Sequence, residues 1–242
     1  MLEIPLLTTL AFGFVLGLRH ALDADHVAAV ATLARPGDGL RRALTSGFSW
    51  GFGHALTIGL AGGTALLLRS AIPERLALVF EFAVGLMLLV LGVLALRGTL
   101  RDRLHMHEHR HDDVTHAHLH FHAVPHATER SAPHRHAHPF SLALRPFLIG
   151  SLHGLAGSAA LALLVLATIP SILAGCLYLL LFGAGSTAGM MLMSLALGAP
   201  LLIARRRAFW LSTALRVAAG VGSLGIGLSL AWRTGIAAGL LG

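Results

Sequence analysis

The chain contains almost none of the residues on which redox proteins and soluble proteins depend. Its 242 residues include one cysteine, Cys176, no lysine, and only 12% charged residues. A single cysteine excludes a disulfide framework, a thiol relay and a paired-cysteine metal site. Hydrophobic residues make up 55% of the chain and the mean hydropathy is +0.76, which is more apolar surface than a soluble domain can bury. The composition therefore predicts several membrane spans, with the lipid bilayer as the first partner.

The net charge of +7 comes from arginine alone. The arginines stand in short clusters beside apolar stretches, so they predict membrane topology rather than nucleic-acid binding. By the positive-inside rule, both termini lie outside and a long polar loop lies in the cytoplasm, in a bacterial-type inner (plasma) membrane. The side predicted to be cytoplasmic carries Arg35, Arg41, Arg42, the loop arginines and Arg205–Arg207, and the other side carries Arg69, Arg75 and Arg233.

Six apolar stretches have about the 20 residues that cross a hydrocarbon core. They predict an all-α integral membrane protein with six transmembrane helices. The first and fifth are long, so each is expected to be tilted, kinked or followed by a re-entrant turn. The stretches are Ile4–Leu33, Ala43–Leu68, Pro73–Leu96, Leu144–Ala167, Pro170–Ala204 and Ala208–Trp232.

The two halves of the chain resemble each other at offsets of 132 to 135 residues. Three helices per half make the halves opposite in topology, so the pattern predicts two inverted three-helix repeats with a substrate site between them. The repeats are residues 1–97 and 141–242, separated by a histidine-rich loop at 98–140. The matching segments are Gly17–Leu22 with Gly150–Leu155, Gly51–His54 with Gly183–Ser186, and Glu81–Gly92 with Arg216–Gly227.

Four of the sixteen histidines lie inside strongly apolar stretches, where ionisable groups are costly and usually functional. His20 and His26 belong to the run Arg19-His20-Ala21-Leu22-Asp23-Ala24-Asp25-His26. Imidazole and carboxylate ligands suit Ni²⁺, Co²⁺, Zn²⁺ or Mn²⁺. On a regular helix His20, Asp23 and His26 share one face, so Asp25 can join them only if the helix unwinds. A helix end with capping and ion-pairing side chains is the alternative.

His54 and His153 are the other two apolar histidines. His54 lies in the middle of the second predicted span, and His153 occupies the position of His20 in the second half. We interpret both as metal ligands, His153 also as a residue of the permeation path, with a hydrogen-bonded structural histidine as the alternative. In the second half Ala156 and Ser158 replace the two carboxylates.

Two further features of the spans suggest interactions between helices. Glu81 and Arg216 occupy equivalent points of the repeats with opposite charge, and we predict that they pair across the repeat interface and hold or gate it. Three methionines of the fifth span, Met190, Met191 and Met193, are more typical of packing than of metal ligation, and whether they line the pathway stays open.

The other twelve histidines fall between His105 and His138. This loop has too little apolar content to fold alone and is predicted to be disordered without metal. The loop would collect or buffer metal, and protonation of its histidines at about pH 6 would release the metal. The alternative is a passive linker. The auxiliary metal-binding residues are His105, His107, His109, His111, His116, His118, His120 and His122.

The run from Arg19 to His26 resembles the signature of the nickel/cobalt transporter superfamily (NiCoT and NicO), and Gly51-Phe52-Gly53-His54 is similar to its second signature. The resemblance implies a carrier for Ni²⁺ or Co²⁺ in which His20, Asp25 and His26 select the ion and His54 supports them. The third signature lacks its acid in the run from His153, and in the run from Gly189 to Ser194 serine replaces the acid. In these departures the sequence resembles the urease-accessory, UreH-type branch of the superfamily.

The leading reading is a secondary uptake permease, not an enzyme, with no permanently bound cofactor. The transported ion would be Ni²⁺ or Co²⁺, with Zn²⁺ and Mn²⁺ as further candidates, and cytoplasmic metallochaperones are candidate partners. An intramembrane hydrolase would need a metal-bound water and a general base, and the chain has no HExxH motif. Efflux, and a metal donor or sensor for a metalloenzyme, remain as alternatives; direction, driving ion and oligomeric state stay open.

Overall fold

The computed structural model describes residues 3–33, 39–69, 73–101, 104–111, 114–121, 139–154, 160–207 and 209–241. In these residues the backbone forms α-helices, one antiparallel hairpin and a π-helical turn. The helices are α1 (Glu3–His20), α2 (Ala24–Leu33), α3 (Leu40–Leu68), α4 (Glu74–Arg101), α5 (Pro139–His153), α6 (Ala160–Ala167), α7 (Ile172–Arg207) and α8 (Phe209–Trp232); the strands are β1 (Leu104–His111) and β2 (Val114–Phe121); the π-helical turn is Arg233–Ala237.

Several helices are long and apolar enough to cross a membrane. Within the described residues they number four, each of 28 or 29 residues. At 1.5 Å per residue, 28 residues reach about 42 Å, more than the hydrocarbon core of about 30 Å. They lie at Leu40–Leu68, Glu74–Arg101, Ile172–Ala199 and Trp210–Ala237. The prediction of a multi-pass helical membrane protein is thus confirmed.

The first and fourth predicted spans are interrupted helices. α1 ends at His20 and α2 begins at Ala24. Between them, the Leu22 N–H donates to the Arg19 carbonyl at 2.9 Å and the Asp23 N–H to the His20 carbonyl at 3.1 Å, so the last turn tightens before the chain leaves the helix. This is the unwinding that the motif requires for Asp25. In the second half, α5 ends at His153 and α6 begins at Ala160.

Glycines bring the helices of the two halves into backbone contact. α3 packs most extensively against α7 and α5, and α1 against α7. A Cβ atom added at Gly17 on α1 would lie 2.1 Å from the Phe182 carbonyl oxygen of α7. A Cβ atom at Gly150 on α5 would lie 2.1 Å from the Trp50 carbonyl oxygen of α3. No larger residue fits at either position unless the helices separate, so these glycines fix the four-helix bundle of α1, α3, α5 and α7.

α4 and α8 cross as an antiparallel pair. A Cβ at Gly227 would lie 2.7 Å from the Gly85 carbonyl oxygen, and one at Gly92 would lie 2.8 Å from the Gly220 carbonyl oxygen. Residue numbers therefore rise along one helix as they fall along the other. The contact is also polar, because the buried Ser223 hydroxyl on α8 donates to the Leu88 carbonyl at 2.8 Å.

This direction of crossing makes the predicted Glu81–Arg216 pair wrong. The Arg216 guanidinium lies 3.5 Å from a Cβ placed at Gly98. Gly98 is seventeen residues beyond Glu81 on α4, which is about 25 Å along the helix axis. Equivalent residues of two antiparallel helices meet only near the crossing point, and these two lie far from it on opposite sides.

α2 and α6 pack in different places. α2 contacts α8 most, and also α4 and α7, through a buried cluster that includes Ala28, Val30, Val84 and Leu88. Within the described residues, α6 contacts α3, α7 and α1, and its Leu166 packs in the other apolar cluster with Leu16, Ile58, Tyr178, Leu179 and Phe182. Met190 is fully buried in the first cluster, as expected of a packing methionine.

Two segments of the histidine-rich loop, residues 104–111 and 114–121, have an extended backbone. β1 and β2 form an antiparallel hairpin whose Cα partners include His105 with His120, His107 with His118, and His109 with His116. Every second residue here is histidine, and a period of two is the period of a strand. The polar composition of the loop predicts disorder, so the two-residue period of histidine was not used to predict a strand. Residues 122–138, with His122, lie outside the described residues.

Candidate metal centre

The four apolar histidines come together from four different helices. His20 ends α1, His26 lies in the first turn of α2, His54 lies within α3, and His153 ends α5. All four are buried, and His20 is the most accessible at 6%. His26 is central: its ring centroid lies 4.1 Å from that of His153, 4.6 Å from that of His20 and 5.0 Å from that of His54. The break between α1 and α2 falls between His20 and His26, so the two rings come from separate helices.

Three of the rings form a group that we call the three-imidazole group: His20, His26 and His54. One nitrogen from each lies within 4.8 Å of the other two. Nε2 of His20 is 3.1 Å from Nε2 of His54. An ion about 2.1 Å from both nitrogens would subtend an angle of about 95°, close to the angle between neighbouring ligands of an octahedral ion. The separation therefore fits two ligands of one transition-metal ion.

Asp23 orients the first of these rings. Its Oδ2 atom lies 2.9 Å from Nδ1 of His20. An ionised carboxylate can only accept a hydrogen bond, so Nδ1 carries the proton and Nε2 presents its lone pair towards His54. A carboxylate behind a ligating histidine is common in metal sites, where it fixes the ring and raises its basicity. Asp23 therefore holds the His20 ring in one orientation.

Asp25 joins two rings from opposite halves of the chain. Its Oδ1 atom is 3.1 Å from Nδ1 of His26, and its Oδ2 atom is 2.9 Å from Nε2 of His153. The backbone N–H of His26 also donates to Oδ1 at 3.0 Å. Asp25, His26 and His153 form a second set of ligand atoms within 4.8 Å of one another, which we call the carboxylate group.

Several ring nitrogens of the cluster lack a hydrogen-bond partner among the described residues. They are Nε2 of His26, Nδ1 of His54 and Nδ1 of His153, all buried. A buried polar atom without a partner destabilises a fold by about 1–3 kcal/mol. Three such atoms in one cluster are expected where the site is built for a ligand rather than for stability.

Aromatic side chains that the sequence reasoning missed enclose the cluster. The Trp50 ring centroid lies 6.4 Å from that of His26 and 6.0 Å from that of His153. The Phe182 centroid lies 5.5 Å from that of His20. These apolar walls strengthen the interaction between an ion and its ligands, since they keep the local dielectric constant low. Their positions could have been predicted from the sequence, because Trp50 lies one helical turn before His54 and Phe182 lies one turn before Ser186.

The structure separates the other predicted site residues from this cluster. Glu81 and Arg216 lie on α4 and α8, and the loop histidines from His105 to His120 lie on β1 and β2.

Comparisons with known proteins identify the family to which the chain belongs. The chain matches the NicO family, described as High-affinity nickel-transport protein, over residues 6–241. It is 32% identical over 205 residues to the urease accessory protein UreH of Bacillus sp. (strain TB-90), covering 85% of this chain and 82% of that protein. It is 40% identical over 73 residues to a high-affinity nickel transport protein of Cupriavidus necator, covering 29% of this chain and 20% of that protein. No solved structure matches.

The family match spans nearly the whole chain and includes every residue of the histidine cluster. Its members transport nickel and are not enzymes, which excludes the hydrolase alternative. The chain therefore belongs to the NicO family of high-affinity nickel transporters.

Proposed function

We propose that this protein is a secondary permease that takes up Ni²⁺ through the bilayer, with the ion held in transit by His20, His26 and His54. The observation that carries the proposal is the convergence of three buried imidazoles, two of them with Nε2 atoms 3.1 Å apart. Imidazole nitrogens suit Ni²⁺ and Co²⁺, and Co²⁺ is the second substrate that we expect; Zn²⁺ and Mn²⁺ follow as weaker candidates.

The balance of charge suits a dication. Neutral imidazoles can be buried without the penalty of a fixed charge, and the carboxylates of Asp23 and Asp25 lie directly behind them. An entering Ni²⁺ exchanges water for nitrogen ligands, and the two carboxylates offset its charge. Because the ligands must be unprotonated, uptake is expected to fall as the pH falls.

We further propose six membrane passes arranged as two inverted repeats, residues 1–97 and 141–242. The passes are α1–α2, α3, α4, α5–α6, α7 and α8, of which the first and fourth are discontinuous. Reciprocal contacts support the repeat. The approach of Gly17 to Phe182 and that of Gly150 to Trp50 are the same contact displaced by 132 or 133 residues. The crossing of α4 and α8 likewise pairs equivalent glycines in exchanged order.

The loop at 98–140 is proposed to lie in the cytoplasm, with both termini outside, because it contains Arg101 and because Arg41 and Arg42 share its predicted side. There it would collect the ion and pass it to metallochaperones. The hairpin register supports this role, since directly opposed residues lie about 4.5–5.5 Å apart and three such pairs are histidines. The name of the Bacillus relative supports uptake for a metalloenzyme inside the cell.

Transport into proteoliposomes tests the proposal. Purified protein is reconstituted, and accumulation of Ni²⁺, Co²⁺, Mn²⁺ and Zn²⁺ is measured for the wild type, His20→Ala and His54→Ala. We expect Ni²⁺ uptake by the wild type and a loss of about tenfold or more in each variant. Ser223→Ala is the matched control, because it removes a buried hydroxyl far along the chain from the cluster. No accumulation of any ion by the wild type would refute the permease.

A further inference from the structure

His26 belongs to both ligand groups of the cluster. Its Nδ1 atom faces Asp25 at 3.1 Å, and its Nε2 atom has no partner among the described residues. It appears in the three-imidazole group and again in the carboxylate group. A single ring therefore links two sets of three ligand atoms, and an imidazole that coordinates through one nitrogen keeps the other for its proton.

The two groups differ in charge and in the helices that form them. The three-imidazole group contains no carboxylate and is built from α1, α2 and α3, all in the first half of the chain. The carboxylate group includes the acidic side chain of Asp25 and joins α2 to His153 at the end of α5, in the second half. It consequently exists only while α2 and α5 stay in contact.

The distances within the carboxylate group also fit an ion. Asp25 lies 2.9 Å from Nε2 of His153 and 3.1 Å from Nδ1 of His26. The second distance equals the 3.1 Å between the Nε2 atoms of His20 and His54 in the other group. An ion placed here would replace both hydrogen bonds. Each imidazole would then keep its one proton on its other nitrogen, and both of those nitrogens, Nδ1 of His153 and Nε2 of His26, are buried without a partner among the described residues. No net proton is released.

We propose that Asp25, His26 and His153 form a second, overlapping cation site, and that one Ni²⁺ ion passes to it from the three-imidazole group through His26. This inference rests on the proposed function and adds a transfer step to it. The ion leaves the His20 and His54 nitrogens and Nε2 of His26, and it gains an Asp25 oxygen, Nε2 of His153 and Nδ1 of His26. The protons that these last two nitrogens shared with Asp25 move to Nδ1 of His153 and Nε2 of His26. Since His26 is shared, the cluster holds one ion at a time. Separation of α2 from α5 would then dismantle the second site and free the ion.

The test separates binding from transfer. All measurements use the full chain with the loop histidines between 105 and 138 changed to asparagine, so that bound Ni²⁺ reports the cluster. Equilibrium binding and proteoliposome uptake are compared for the wild type, His153→Gln and His54→Ala, with Ser223→Ala as control. Glutamine can still donate a hydrogen bond to Asp25 but offers no imidazole.

We expect one Ni²⁺ per chain. His153→Gln should bind with an affinity within about threefold of wild type and yet lose about tenfold or more of its uptake, whereas His54→Ala loses both. Equal uptake by His153→Gln and wild type would overturn the second site. So would a loss of affinity as large as that of His54→Ala, which would indicate one joint site, or two ions bound per chain.

These outcomes differ from failure of the proposed function, in which the wild type itself neither binds nor transports Ni²⁺. If His153→Gln does not fold, as judged by its elution and thermal unfolding, Asp25→Asn replaces it. Asp25→Asn should lower uptake by a larger factor than affinity, and equal factors would contradict the transfer step.

Discussion

The two halves of the chain contribute unequally to the histidine cluster. The first half provides His20, Asp25, His26 and His54, and the second provides His153 alone. In sequence, Ser186 stands where the first half has His54, and it is fully buried. The helices that follow the interruptions differ as well. In the described residues α2 contacts α8 most, then α4 and α7, whereas α6 contacts α1, α3 and α7.

The two halves thus share a packing arrangement but differ in their candidate ligands. Backbone contacts through glycine occur in both halves, whereas all the candidate ligands except His153 lie in the first half. A cation held mainly by one half can be bound and released as that half changes its contact with a single residue of the other. A symmetric site would have to break equal numbers of bonds on both sides. The following predictions test how far the asymmetry goes, from the largest expected effect to the smallest.

His26→Ala should abolish uptake. His26 is shared by both ligand groups, so its loss leaves two ligands in each. We expect Ni²⁺ accumulation at the level of protein-free vesicles and a fall in affinity greater than that of any other single substitution in the cluster. Uptake and equilibrium binding in the background without loop histidines measure both. A defect no larger than that of His153→Gln would show that His26 contributes no more than the residue from the second half, and it would contradict the asymmetry between the halves.

Gly17→Ala and Gly150→Ala should destabilise the protein by similar amounts, because each new Cβ would lie 2.1 Å from a carbonyl oxygen of the facing helix. Overpacking of this kind destabilises by about 1–3 kcal/mol, which corresponds to a fall of roughly 2–12 °C in Tm. Thermal unfolding in detergent checks it. Gly222→Ala and Gly225→Ala are matched controls, since nothing lies within 4 Å of their added Cβ atoms. A mild effect at one site only would show that the scaffolds also differ.

Local chemistry predicted the site better than it predicted long-range pairing. The spacing of His20, Asp25 and His26 required an interrupted helix, and the interruption is present. The Glu81–Arg216 pair failed because sequence equivalence says nothing about where antiparallel helices cross. Sequence alone could not show that Asp25 reaches His153, since that side-chain contact joins residues 128 positions apart in the chain.

The organisation of the chain was also predicted only in part. Six apolar stretches were found from hydropathy, and their helices lie within a few residues of the predicted bounds, but hydropathy could not show that α2 and α6 dock in different places. The hairpin was missed because polarity was weighed above the two-residue period.

Asp23→Asn should weaken binding less than any ligand substitution. Asp23 accepts a hydrogen bond from His20 at 2.9 Å, and its side chain is 45% exposed, whereas that of Asp25 is 13% exposed. Loss of such a supporting carboxylate typically lowers metal affinity by roughly 10- to 100-fold, and because Asp23 is exposed we expect a loss of about tenfold. Ni²⁺ titration compares Asp23→Asn with Asp25→Asn. A larger loss at Asp23 would reverse the assignment and make Asp23 a direct ligand.

Deletion of residues 105–138 should have the smallest effect on transport itself. Among the described residues, the candidate ligands of the cluster come from α1, α2, α3 and α5 and not from the hairpin within the deleted segment. A permease without this loop should keep its maximal rate and change its apparent affinity for Ni²⁺ by about threefold or less, since weak imidazole sites near the path raise only the local ion concentration. Replacing the loop histidines with asparagine at constant length is the matched control for shortening. If the protein were instead a metal donor or sensor, deletion would remove its output while binding at the cluster stayed intact, so measuring uptake and binding on the same preparation distinguishes the two functions.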